Sequence, residues 1–109
     1  KEAAMVHVDN TLKDFIVRLA LATRDHADFY IGASPRASYA LMRAAQTAAY
    51  VKGRTFVVPD DIKDLVLPVW THRLILTSDA RMMGRSAEMI LNSLLDGMQT
   101  PDLRYVTAK

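Results

Sequence analysis

Residues 34–53, SPRASYALMRAAQTAAYVKG, carry both the start and the stop signal of a helix. Ser34 is an N-cap residue, able to accept a hydrogen bond from an orphan N–H of a first helical turn. Pro35 suits the next position, where its missing N–H costs nothing and its φ is already near the helical value. Gly53 supplies the stop, because it enters the left-handed region without a Cβ penalty. Between these signals Ala37, Leu41, Ala44, Ala48 and Val51 recur at helical spacing. The sequence therefore predicts a helix over about 34–52, with a buried stripe of mostly small residues against a close neighbour.

Working outward, Asp28 to Ala33 should be extended or looped, with Gly32 free to turn sharply. Ahead of it a helix begins after Asp9, a candidate cap, and carries Leu12, Phe15, Ile16, Leu19 and Ala22 on one face. Val17 and Leu21 form a second apolar strip. Either that helix is buried on two sides within this domain, or the second strip faces a neighbouring domain. Downstream, Arg54 to Val58 is short and β-prone, and Pro59-Asp60-Asp61 opens another helix that should bury Ile62, Leu65, Val66 and Val69. Pro68 is expected to kink that helix or break it in two. Leu74 to Leu76 should be extended. Ser86 then caps a last helix that buries Ile90, Leu91, Leu94, Leu95 and Met98 and ends at Pro101. The expected architecture is all-α, a small four-helix bundle with short extended links, occupying residues 1–100, with a tail at 101–109.

Composition agrees with one helical domain and narrows the function. The chain has 109 residues, 50% hydrophobic but only 7% aromatic, a mixture that favours helix over sheet. With 14 basic and 12 acidic residues the net charge is +2, too small an excess to drive nucleic-acid binding by counterion release. No apolar run approaches the roughly 18 residues needed to span a bilayer, and no signal-peptide pattern appears, so membrane insertion is not expected. The absence of cysteine excludes disulfides and thiolate metal sites and suits a reducing, cytoplasmic setting. Because it starts at Lys1 without an initiator methionine, the chain is expected to be a fragment or a processed piece.

Little of it can do chemistry alone. There is no Gly-rich loop ending in Gly-Lys-Ser/Thr to cradle a triphosphate. His7, His26 and His72 lack metal-ligand spacing. Asp60 and Asp61 are better explained by a helix start than by acid–base chemistry. No serine sits in a nucleophile elbow. What remains is Arg36, in the first turn of its helix. The helix dipole and free N–H groups already present positive charge there, so a cation fits best if an anion is its partner. Arg43 lies seven residues on, rotated by about 20°, and Tyr39, Gln46 and Tyr50 fall near the same line. That face is either an anion site or a solvated surface on which arginine stems pack against tyrosines.

At these residues the sequence resembles a known family. Gly32-Ala33-Ser34-Pro35-Arg36-Ala37-Ser38, then Leu41, Arg43-Ala44-Ala45 and Ala48, is similar to the second-sensor helix of MoxR-type AAA+ ATPases. The likeness continues through Gly53-Arg54, Val57, Pro59-Asp60-Asp61-Ile62-Lys63, His72-Arg73-Leu74-Ile75-Leu76-Thr77 and Gly84-Arg85-Ser86-Ala87-Glu88. Upstream, Asp14-Phe15-Ile16-Val17 through Ala22-Thr23-Arg24 matches the first lid helix. Two departures stand out: Val58 replaces a hydroxyl residue before Pro-Asp-Asp, which weakens that cap, and Gln99-Thr100-Pro101 replaces an acidic or prolyl stretch.

The resemblance implies the helical lid of an ATPase whose α/β core, elsewhere in the same polypeptide, holds ATP with Mg2+. Arg36 would be the catalytic sensor reaching the γ-phosphate, with Ser34 and Pro35 beside it at the nucleotide and no metal ligand in the lid. Such ATPases are typically hexameric rings that hydrolyse ATP to remodel or activate client proteins in a chaperone-like way, often with von Willebrand factor A domain proteins. Two alternatives remain at this stage. A helix, Gly-Arg, a short β segment and a Pro-Asp-Asp-Ile helix also look like a DNA-binding histone fold. The other is a helical protein-interaction bundle exposing Val17 and Leu21.

Overall fold

Side-chain caps set where the helices begin. In the computed structural model, which describes residues 2–98, a 3-10 turn at Glu2–Met5 precedes helix α1, Asn10–Asp25, and strand β1, Phe29–Ile31. Helix α2, Pro35–Val51, and helix α3, Pro59–Trp70, follow, then strand β2, Ile75–Leu76, helix α4, Ser78–Met82, and helix α5, Ala87–Gly97. Asp9 accepts from the backbone N–H of Thr11, Ser34 from Ala37, Thr77 from Ala80 and Ser86 from Met89. Each fills one of the donors a helix start leaves open. Gly53 closes α2 at φ +82°. The expected stop at Pro101 and the tail at 101–109 lie outside the described residues.

Helix α2 is central, packed against α1, α3 and the N-terminal turn. Its buried stripe is Ala37, Leu41, Ala45 and Ala49, spaced by four. That differs from the expected stripe: Ala44 and Ala48 are half-buried and Val51 is 77% exposed. Steps of four follow the ridge that packs into a neighbour's groove, and alanines along it let α3 approach closely. Leu12, Phe15, Leu19, Ile62, Trp70, Ile90 and Leu91 complete the core. In α5 only Ile90 and Leu91 are fully buried, while Leu94, Leu95 and Met98 lean on the core's edge.

Of the two outcomes expected at Pro68, a kink or a break, the break does not occur: α3 runs as one element to Trp70. The proline is exposed and sits near the helix's C-terminal end, so its missing N–H removes one late bond. A fifth helix, α4, stands where a link was expected. Its five residues are too few for periodicity to show, although Thr77 is a legible cap. The links are extended as expected: β1 and β2 pair antiparallel, Phe29 opposite Leu76 and Ile31 opposite Ile75.

Asp61 does more than complement a helix dipole. Its carboxylate has no exposed surface and accepts two bonds from the Arg54 guanidinium, each 2.7 Å, and one from Val58 N–H at 2.9 Å, with Lys52 Nζ at 3.5 Å. The bond from Val58 satisfies the N–H of the N-cap residue itself, while the apolar Val58 side chain gives the first turn no side-chain cap. Burial pushes the Asp61 carboxyl up, but Arg54, the Val58 N–H and Lys52 outweigh it and hold it below the ordinary carboxylate range. A depressed folded-state value stabilises above the unfolded value, near 3.9, and that stability is lost as pH falls through the lower folded value. Asp61→Asn should cost about 1–3 kcal/mol at neutral pH and flatten the acid limb of a stability–pH curve measured by chemical denaturation.

Candidate functional site

The first turn of α2 is held by its surroundings before any ligand is considered. A Cβ on Gly32 would lie 2.7 Å from the Arg24 Cα and backbone nitrogen, so only glycine lets this segment cross the end of α1. Ala33 is fully buried beside it. Ser34 then caps, and Pro35 takes the first helical position. From α3, the Trp70 indole N–H donates to the Ala37 carbonyl at 2.9 Å. Gly32→Ala should therefore lower stability by about 1–3 kcal/mol through overpacking, read as a lowered melting temperature.

Arg36 follows this anchored segment and is exposed, with no ion pair or side-chain hydrogen bond among the described residues. Its guanidinium is a planar, permanently charged fork of five donors, suited to bidentate recognition of an anion. Two other members of the expected polar line are committed elsewhere. Gln46 is buried and its amide nitrogen donates to the carbonyls of Val6 at 2.9 Å and Ala4 at 3.3 Å, fastening the N-terminal segment to α2. The Tyr50 hydroxyl donates to the Glu2 carboxylate, which holds the phenol above its usual pKa. Arg43 is half-buried, and Tyr39 is exposed one turn beyond Arg36. Helical spacing puts all five on one line, but α2 is covered along part of that line by the chain's own N-terminus.

Between α1 and the start of α2 the surface is apolar. Val17 and Leu21 are 49% and 47% exposed, so the second strip of α1 is not buried within this domain. With Ala20, Arg24, Pro35 and Ser38 they line an open groove of about 350 Å³. A smaller recess of about 160 Å³ continues it between Lys13, Ile16, Val17, Ser38, Tyr39 and Met42. Arg24 lines this groove, and Arg36 follows directly on its lining residue Pro35, so the region can take a ligand with an anionic and an apolar part, or a second protein surface bearing an anion.

No sequence motif marks Trp70. Its one signal is position: Ile62, Val66 and Trp70 are spaced by four, which extends the buried face of α3 to its last residue.

The family described as AAA lid domain matches residues 21–94. The chain is 37% identical to the YeaC protein of Bacillus subtilis over 93% of its own length and 32% of that protein's. It is 35% identical to the chaperone MoxR1 of Mycobacterium tuberculosis, over 95% of this chain and 30% of the relative. A crystal structure of a candidate ATPase from Cytophaga hutchinsonii superposes with a TM-score of 0.85 at 31% identity, covering 93% of this chain and 33% of that one. The chain thus spans about a third of the length of the relatives it matches.

Proposed function

The chain belongs to the AAA lid domain family, in its MoxR-type branch, and from that premise we propose that it closes over ATP held by a core domain in the same polypeptide, with Arg36 as the sensor of the γ-phosphate. The observation that carries this is Arg36 itself: an exposed cation, without an ion pair among the described residues, in the first turn of a helix whose approach is tightly anchored. A cation there opposes the helix dipole unless an anion joins both. A charge-assisted contact is worth about 1.5–3 kcal/mol. Formed with triphosphate only, it shifts an open–closed equilibrium about ten- to a hundredfold. Ser34 and Pro35 fix the turn that presents it. The uncovered strip of Val17 and Leu21 fits against the core beside the nucleotide.

ATP with Mg2+ is bound mainly by that core. Hydrolysis removes the γ-phosphate, releases the lid and changes its angle against neighbouring subunits of a ring. Similarity to a chaperone supports remodelling or activation of client proteins, von Willebrand factor A domain proteins among the candidates. Among the described residues no helix is long and apolar enough to cross a membrane. The histone-like alternative falls away, since the superposition on the Cytophaga chain covers nearly the whole domain.

A composite site makes the isolated domain a poor nucleotide binder. One charge-assisted contact falls short of the about 4.1 kcal/mol that corresponds to a millimolar Kd. Calorimetry of the isolated chain with ATP should therefore show binding no tighter than millimolar. A micromolar Kd would mean a self-contained nucleotide site and would overturn the proposal.

A further inference from the structure

Deepening the sensor assignment for Arg36, on which it rests, we infer that Thr23 and Arg24 at the end of α1 are positioning residues for that arginine. The two consecutive side chains grip both polar groups of one residue, Ala33. The Ala33 N–H donates to Thr23 Oγ1 at 2.8 Å, and Arg24 Nε donates to the Ala33 carbonyl at 2.7 Å. Thr23 is fully buried, and its hydroxyl donates in turn to the Ala20 carbonyl at 2.6 Å, which leaves its lone pairs directed at Ala33. Gly32 lies against the backbone of the same two residues.

Two residues separate Ala33 from Arg36, and little freedom remains between them. Ser34 is committed as a cap, and the Pro35 ring fixes φ. The Trp70 bond to Ala37 closes the far side of the turn. The position of the Arg36 Cα relative to α1, and so to the groove along Val17 and Leu21, is thereby set by Thr23 and Arg24. Neither residue needs to touch the nucleotide to matter. A misplacement of about 1 Å at a reacting centre can cost on the order of a hundredfold in rate. Arg24 is an exposed side chain whose one hydrogen bond among the described residues goes to this carbonyl.

The test is a double-mutant cycle on turnover in the complete ATPase, with the melting temperature of each variant recorded alongside. Thr23→Val and Arg24→Met should each lower kcat about tenfold by misplacing the sensor, while Thr23→Ser, which keeps the hydroxyl, stays near wild type. In an Arg36→Ala background the same substitutions should change kcat by less than about twofold, because the group they place is gone. Since Arg24 is exposed, Arg24→Met keeps the test open even if Thr23→Val disturbs folding. Effects that multiply with Arg36→Ala, or no effect of either substitution beside an intact Arg36, would overturn the positioning role alone. Normal turnover in Arg36→Ala itself would instead overturn the sensor assignment and this inference with it.

Discussion

Replacing Arg36 with alanine is expected to cut ATP turnover by the complete ATPase about ten- to a hundredfold while leaving the lid as stable as before. On the proposed sensor role, the rate effect follows from losing one charge-assisted contact, about 1.5–3 kcal/mol, that Arg36 would make only with the triphosphate. Stability should hold because the side chain is exposed and has no ion pair or side-chain hydrogen bond among the described residues, a setting in which substitutions stay within about 0.5 kcal/mol. Removing a cation from the start of a helix should, if anything, stabilise it slightly. Arg36→Lys keeps the charge but not the planar fork, so an intermediate rate is expected. Steady-state ATPase assays paired with thermal melts check both halves.

Trp70→Ala should have the largest effect on stability, about 3–5 kcal/mol for truncating a large aromatic in a closed core. Trp70 is fully buried and also holds the Ala37 carbonyl. For a domain of this size, with a total stability on the order of 5–10 kcal/mol, such a loss removes from about a third to nearly all of it. Trp70→Phe separates the two contributions. It keeps most of the ring volume and removes the hydrogen bond, for an expected cost of about 1–3 kcal/mol. Chemical denaturation of the isolated domain measures both variants.

Both substitutions bear on one short segment, and that segment was also the most legible part of the sequence. Ser34, Pro35 and Gly53 mark the ends of α2 by local chemistry, and such signals act whatever the tertiary context. The caps at Asp9 and Ser86 were legible for the same reason. What could not be read was which face each neighbour covers. Gln46 sits on the polar line of α2, yet the N-terminal segment lies over it and turns it into a buried donor to Val6 and Ala4. Asp61 looks like an ordinary first-turn acid until Arg54, seven residues earlier, folds back onto it. Trp70, Thr23 and Arg24 reach α2 from other helices, so their roles appear only when the chain is folded. Val17 and Leu21 are the reverse case. Two apolar strips on α1 were visible from spacing, and the fold shows that this domain covers only one of them.

The most direct measurement compares nucleotide affinities of the complete ATPase with and without Arg36. A non-hydrolysable ATP analogue and ADP are each titrated against wild type and Arg36→Ala. If Arg36 senses the γ-phosphate, the substitution weakens analogue binding about ten- to a hundredfold and leaves ADP binding unchanged. Equal weakening of both nucleotides, or no change in either, would contradict it.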